Sequence, residues 1–233
     1  MKARDVMVRA VATTTPETTV EKVAKLMINL RISGVPVLDR NGRLVGIITE
    51  GDLLRRTETG TDRRRSRWSE WFSANSRLAA EYVKSHARRV EDIMTREVFS
   101  VAELATLGEI AELMEIKRIK RVPVVHDGKV VGIVSRADLL QVLASGGATT
   151  ADEDSDRLIR ERLLAELGKQ EWANPTASNV VVSDGVVHFW GTVGSEAERT
   201  ALRVVAENIP GVRGIEDHTI SGPRYLTPLF PAA

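Results

Sequence analysis

The first clear pattern of apolar and polar positions has the period of a helix. One predicted apolar face is formed by Val20, Val23, Ala24, Met27 and Leu30. This spacing predicts an amphipathic helix that begins near Thr19, because threonine favours the position before a helix. Two β-branched strands, 35–38 and 44–49, are predicted next. Asn41-Gly42 marks the hairpin turn between them, and another helix begins near 51.

The same pattern occurs a second time, 87 residues further along the chain, since Asp5-Val6-Met7 returns as Asp92-Ile93-Met94. The second copy starts its helix with a capping box of Thr106 and Glu109, and its hairpin turn is Asp127-Gly128. Because two strands and two helices cannot bury their apolar faces alone, we expect the two copies to pair across their sheets.

The pattern changes after a stretch rich in Gly and Thr, 146–153, which is typical of a flexible linker. Helical spacing follows at 158–167, and a hairpin of two strands is predicted around Asp184-Gly185. Ser195 with Glu198 predicts the capping box of a second helix, and a last strand follows it. The order α-β-β-α-β therefore predicts a second, smaller domain.

The duplicated pattern resembles the CBS domain, which is named after cystathionine β-synthase. The resemblance rests on Val-Pro-Val in both copies, at 35–37 and 122–124, and on Gly-Ile-Ile-Thr-Glu-Gly-Asp at 46–52. It implies an α+β fold in which motif 1 (1–56) and motif 2 (88–145) pack as one module. The resemblance also implies that the module forms homodimers and binds an adenosyl compound as a regulatory ligand: AMP, ADP, ATP, NAD or S-adenosylmethionine.

The C-terminal stretch, 154–222, resembles the BON domain, a family associated with phospholipids and the cell envelope. Three short segments carry the resemblance: Asp184-Gly185-Val186, Gly191-Thr192-Val193 and Pro210-Gly211-Val212. It implies that this domain meets a protein partner or a phospholipid surface. The start of the chain lacks the apolar core of a signal peptide, and no apolar run approaches the ~20 residues of a membrane-spanning helix. We therefore expect a cytoplasmic protein, which ends in a Pro-rich tail at 223–233.

Two matched sequences place a hydroxyl three residues before a carboxylate, where a strand meets a helix. They are Thr49 with Asp52 in the first motif and Ser135 with Asp138 in the second. An ionised carboxylate can accept both hydroxyl donors of a ribose, and a hydroxyl can contact a phosphate. The CBS resemblance implies ribose and phosphate contacts at these positions. The alternative is an ordinary helix cap, since Ser, Thr and Asp all favour helix starts.

Charge distinguishes the two motifs. Lys120 and Arg121 directly precede the second Val-Pro-Val, and similar modules in the regulatory subunit of AMP-activated protein kinase hold phosphates with a basic pair there. We therefore predict a phosphate contact at this pair, with a solvated basic edge as the alternative. For Arg118 we adopt that alternative. The first motif has Ser33-Gly34 at this place, with small size, backbone access and no charge, and Gly34 and Val35 are its candidate ligand contacts.

A basic and aromatic insertion, 57–87, separates the motifs. Trp68, Trp71 and Phe72 have the i, i+3, i+4 spacing of one helical face and follow several arginines. We interpret this aromatic face as packing within the module or at the dimer interface, with a flap over the ligand as the alternative. The 33 Lys and Arg residues nearly balance the 32 Asp and Glu residues, so nucleic acid is not expected as a partner.

The remaining residue types exclude several kinds of chemistry. The chain has no cysteine, which excludes disulfides, thiolate nucleophiles and Cys-based metal sites. His188 and His218 are interpreted as isolated strand residues rather than metal ligands, and the sequence shows no catalytic constellation. We expect a non-catalytic regulatory protein without a cofactor, in which the CBS pair modulates the BON-like domain. The alternative is a constitutive dimeric scaffold or membrane-docking protein, in which the hydroxyl–carboxylate pairs are closed helix caps.

Overall fold

The computed structural model describes residues 1–54, 86–146, 153–173 and 178–222. In chain order the helices are Ala3–Val6 (α1), Val20–Leu30 (α2), Glu50–Leu53 (α3), Val90–Ile93 (α4), Leu107–Ile116 (α5), Arg136–Ala144 (α6), Glu153–Leu167 (α7) and Glu196–Glu207 (α8). The strands are Gly34–Leu38 (β1), Leu44–Thr49 (β2), Val101–Ala102 (β3), Arg121–His126 (β4), Lys129–Ser135 (β5), Ser178–Ser183 (β6), Val186–Val193 (β7) and Gly214–Ser221 (β8). These elements confirm the predicted α+β fold.

The chain divides into two compact units, and the division does not fall between the repeats. The first unit is Ala12–Val98, and the second combines Met1–Val11 with Phe99–Ala233. The segment at the start of each repeat, here called its leader (1–11 in the first repeat and 88–98 in the second), therefore packs in the unit that contains the other repeat. Met94 packs against Gly46 in the first unit, and Met7 packs against Gly132 in the second. A Cβ atom at either glycine would collide with the methionine side chain, so this close approach requires glycine.

The first unit has the predicted helix and hairpin. Thr19 caps α2 by accepting a hydrogen bond from the backbone N–H of Lys22. Strands β1 and β2 pair antiparallel, with Gly34 opposite Thr49. The apolar face of α2 and the inner face of the hairpin form a core with α4. That core contains Val20, Val23, Met27, Val35, Val37, Ile48, Val90, Ile93 and Met94.

The second repeat forms a three-stranded sheet in the order β3-β4-β5. Its hairpin turn, Asp127-Gly128, has φ of 48° and 77°, which is the left-handed pair that a two-residue turn requires and that Asp-Gly adopts readily. The predicted capping box is confirmed, because Glu109 N–H donates to Thr106 Oγ1 and the Glu109 carboxylate accepts from Thr106 N–H. The turn and the capping box were both predicted from neighbouring residues alone, and the local geometry confirms both.

The C-terminal part of the second unit is a sheet in the order β6-β7-β8, in which β7 and β8 are parallel. One face packs on α7 and α8 through Leu163, Phe189 and Leu202. On the other face, Val181 shares a core with Val6 of α1 and residues of the second repeat. Strand β6 is therefore buried on both faces.

Some predictions differ from the structure or lie outside it. Ser195 caps α8 as predicted, but the Glu198 carboxylate accepts from Gly194 N–H. The aromatic residues of the insertion, namely Trp68, Trp71 and Phe72, and the tail at 223–233 lie outside the described residues. Within the described ranges, no helix combines the length and the apolar character needed to cross a membrane.

The contact between Met7 and Gly132 predicts a stability effect. Gly132→Ala should lower the free energy of unfolding by about 1–3 kcal/mol, because the added methyl group must displace the buried Met7 side chain. Gly108→Ala is the matched control, since a Cβ there has nothing closer than Thr106 Oγ1 at 4.0 Å. Urea denaturation followed by circular dichroism measures both. Equal effects of the two substitutions would contradict the close approach at Gly132.

Candidate functional site

Thr49 and Asp52 lie together where β2 meets α3. One Asp52 oxygen, Oδ2, accepts hydrogen bonds from the Thr49 backbone N–H at 2.9 Å and from its hydroxyl at 2.8 Å. The backbone of Gly34 lies opposite Thr49 in the hairpin. The Val35 side chain is fully buried in the core, so a ligand could reach only its backbone. The structure therefore brings Gly34, Thr49 and Asp52 to one place.

The second repeat has the same local arrangement. Asp138 Oδ2 accepts from the Ser135 backbone N–H at 2.6 Å and from its hydroxyl at 2.7 Å. Arg121 lies opposite Ser135 in the hairpin, and the Lys120 carbonyl accepts from Arg136 N–H at the start of α6. Lys120 is exposed and Arg121 is half-buried. The structure therefore places the Lys120–Arg121 backbone beside the hydroxyl–carboxylate pair of Ser135 and Asp138.

The two carboxylates differ in what covers them. Asp138 is only 6% exposed, and its second oxygen, Oδ1, accepts a hydrogen bond of 2.9 Å from the Asn179 side-chain amide of β6. The same amide nitrogen donates to Gln141 Oε1 at 2.9 Å. Burial raises the pKa of Asp138, while its hydrogen bonds with Ser135 and Asn179 oppose that shift. Among the residues that the structure describes, Asp52 has no partner that corresponds to Asn179.

A buried arginine holds the C-terminal domain in this position. The Arg160 side chain of α7 is 3% exposed. Its guanidinium donates to three carbonyl oxygens: Val180 at 2.8 Å, Arg4 at 3.0 Å and Met7 at 2.9 Å. Desolvation lowers the pKa of Arg160 to about 10, so the group stays charged at neutral pH. Through these hydrogen bonds the Arg160 guanidinium links α7 to β6 and to the N-terminal leader.

Neither Asn179 nor Arg160 was predicted from the sequence to be a functional residue. A signal for Arg160 exists, because the buried face of α7 reads Asp156, Arg160, Leu163 and Leu167, with two charged residues among helically spaced core positions. Charged residues are almost never fully buried unless they are paired. Asn179 carries no such signal, since a single polar residue at the start of a strand is ordinary.

The interpretation of His188 and His218 as isolated residues is wrong. Strands β7 and β8 run parallel with His188 opposite Glu216 and Trp190 opposite His218. This register brings the His188 Nδ1 and His218 Nε2 atoms to 3.4 Å. The two histidines meet only because of the parallel register of β7 and β8, which was not predicted from the sequence.

The first unit also contains a groove of about 920 Å³ between α2 and α3. Its lining is mostly apolar, with Arg31 and Arg88 as the basic residues. The groove reaches Ser33, which precedes Gly34, and Glu50, which follows Thr49. A space large enough for a small ligand therefore borders the helix start of the first motif.

Comparisons with known proteins identify both parts of the chain. Residues 3–58 and 90–145 match the family model of the CBS domain, and residues 155–221 match that of the BON domain. The CBS domain-containing protein CBSX1, chloroplastic, of Arabidopsis thaliana is 33% identical over 144 residues, which are 56% of this chain and 60% of that protein. CBSX2, chloroplastic, of the same organism is 30% identical over 133 residues, or 54% of this chain and 56% of that protein. The chain thus spans less than two thirds of either relative.

A solved structure has the same fold as the duplicated part. The crystal structure of CBSX2 in complex with AMP superposes with a TM-score of 0.54 and 26% identity. The match covers 62% of this chain and 97% of that one. The fold of a CBS pair therefore accounts for most of the described chain before the C-terminal domain.

The three carbonyl contacts of Arg160 predict that it is needed for stability. Arg160→Ala should lower the free energy of unfolding by about 3 kcal/mol, because it leaves buried carbonyl oxygens without donors. Arg157→Ala on the same helix is the control. The Arg157 side chain is 32% exposed and pairs with Asp154 at 2.6 Å, so its loss should cost less than about 1 kcal/mol. Thermal and urea unfolding measure both, and similar losses would contradict the role of Arg160.

Proposed function

Since the chain belongs to the CBS-domain proteins and carries a BON domain after its CBS motifs, we propose that it is a non-catalytic regulatory protein. Its CBS pair binds an adenosyl ligand of the AMP, ADP, ATP, NAD or S-adenosylmethionine type. Binding of the ligand changes how the BON domain meets a protein partner or a phospholipid surface. Formation of a homodimer through the CBS pair, in the cytoplasm, belongs to the same proposal.

The observation that carries this proposal is the matched pair of hydroxyl–carboxylate sites. Thr49 with Asp52 and Ser135 with Asp138 have the same hydrogen bonds at the same strand-to-helix junction. The related CBSX2 structure contains AMP, which supports an adenosyl ligand here. In the proposed complex the carboxylates accept from the ribose, the hydroxyls contact phosphate, and Gly34 and Val35 offer backbone groups.

The basic pair would set the preference for phosphorylated ligands. Lys120 and Arg121 flank the Ser135 helix start, and hydrogen bonds from Lys or Arg to phosphate are stronger than neutral ones. The first motif has Gly34 in place of Arg121 and lacks this charge. We therefore assign phosphate recognition to the second motif and ribose recognition to both.

The contact between Asn179 and Asp138 would couple ligand binding at the second motif to docking of the BON domain. Asp138 is 6% exposed and the Asn179 amide covers its Oδ1, so we expect a ribose to reach this carboxylate only when Asn179 moves away. Ligand at the second motif and the docked BON domain would then exclude each other. A ligand shifts such an equilibrium only through its different affinity for the two arrangements. Competition between the ligand and Asn179 for Asp138 would give the ligand a lower affinity for the docked arrangement than for the undocked one.

A constitutive scaffold is the second candidate, and one observation favours it. Both Asp138 oxygens are satisfied within the protein, as expected of a closed helix cap. In a scaffold the BON domain stays docked, and the carboxylates serve only to start α3 and α6. Ligand binding distinguishes the two candidates.

Ligand binding should raise the melting temperature of the full chain, since a ligand that binds the native state stabilises it. We expect a dose-dependent rise with at least one of AMP, ADP, ATP, NAD and S-adenosylmethionine. Asp52→Asn should weaken that ligand by about tenfold, because it removes a charged acceptor for the ribose. Asp127→Asn is the control, since it removes the same charge from an exposed hairpin turn. Flat melting curves at millimolar ligand would reject the adenosyl-sensor proposal.

Asn179→Ala should tighten ligand binding about five- to tenfold, because the ligand no longer competes with a hydrogen bond to a charged group. Asn208→Ala is the matched control, since the Asn208 amide donates to the Val204 carbonyl at the C-terminal end of the same helix, α8. Isothermal titration calorimetry measures the affinities. If Asn179→Ala lowers stability and leaves the affinity unchanged, the contact is structural and the proposed competition is wrong.

A further inference from the structure

Three potential metal ligands converge on two adjacent strands of the BON sheet, the central β7 and the edge strand β8. They are His188 of β7 with Glu216 and His218 of β8. His188 Nδ1 lies 3.4 Å from His218 Nε2, and each of these nitrogen atoms lies 3.3 Å from the same Glu216 oxygen, Oε2. The three atoms therefore form a nearly equilateral triangle.

The size of this triangle matches one face of a zinc coordination tetrahedron. Zinc binds nitrogen and carboxylate oxygen at about 2.0–2.2 Å in tetrahedral geometry, which separates neighbouring ligand atoms by about 3.3–3.5 Å. Two imidazoles and one carboxylate are a ligand set that zinc uses when its fourth position stays open. We propose that His188, Glu216 and His218 form a binding site for a divalent transition-metal ion, with Zn²⁺ as the expected occupant.

The sheet holds the ligands in place without a loop. His188 and Glu216 are direct partners across β7 and β8, and His218 lies two residues further along β8 on the same face. The indole ring of Trp190, the cross-strand partner of His218, stacks on its imidazole with centroids 4.0 Å apart and an interplanar angle of 17°. Ligands on rigid strands with one ring fixed by stacking are preorganised for an ion.

The surroundings suit a site with one open position. The His188 side chain is 5% exposed, whereas those of His218 and Glu216 are 32% and 57% exposed. Burial lowers the pKa of His188, which favours the neutral imidazole that binds metal ions. The exposed side of the triangle leaves room for water, or for an oxygen or nitrogen donor from another molecule, as the fourth ligand.

The test uses the full chain, freed of any purification tag and stripped with EDTA. Co²⁺ serves as the probe, because tetrahedral Co²⁺ absorbs strongly in the visible range. We expect one equivalent of Co²⁺ per chain, displaced by Zn²⁺, and a rise in melting temperature with Zn²⁺ that EDTA reverses. His218→Ala and Glu216→Gln should each weaken Zn²⁺ binding by at least about tenfold. Both change exposed or half-exposed side chains, so the variants should fold.

His126→Ala is the matched control. His126 also lies beside two carboxylates, with Glu103 at 3.3 Å and Asp127 at 3.6 Å, but it has no second histidine near it among the described residues. Its loss should leave Zn²⁺ affinity unchanged. Stoichiometric binding that survives His218→Ala, or that disappears with His126→Ala, would overturn the site. Absence of both the Co²⁺ band and the Zn²⁺-dependent stabilisation would show that the three side chains form only a hydrogen-bonded cluster.

Discussion

The buried guanidinium of Arg160 is the constraint on which the second unit depends. It satisfies carbonyl oxygens of the leader, at Arg4 and Met7, and of β6, at Val180. A buried charge is costly unless every donor finds an acceptor, so these three segments cannot move independently. The position of β6 in turn places Asn179 on Asp138. Arg160 and the apolar core around Val181 thus fix together how the BON domain covers the second CBS motif.

This docking makes two duplicated sites unequal. Thr49 with Asp52 and Ser135 with Asp138 have the same internal hydrogen bonds, because each pair lies at the same local turn. Only Asp138 is covered by a residue of another domain within the described chain, and its burial follows from that contact. The attached domain thus covers the carboxylate of one motif, whereas within the described chain it does not contact the carboxylate of the other.

One face of the BON sheet carries both the Asn179 contact with the second repeat and the pair of histidines, His188 and His218. Asn179 and Val181 of β6 face the second repeat, and their cross-strand partners on β7 are Trp190 and His188. The opposite face packs on α7 and α8. Every second residue along a strand points to the same side, so the docking residue Asn179 and the pair His188 and His218 lie on the same face of the sheet. An ion at His188 and His218 would lie one strand away from Asn179.

Neighbouring residues in the sequence determined the helix caps, the hairpin turns and the hydroxyl–carboxylate pairs, because each depends on backbone geometry within four residues. The repeat likewise predicted two copies of one fold. Only the tertiary structure decided that Met7 packs on Gly132, that Asn179 covers Asp138, and that His188 meets His218. Together with the contact of Val6 with Asn179, they join residues between 30 and 173 positions apart. Their geometry depends on strand register and domain docking, which local patterns do not encode.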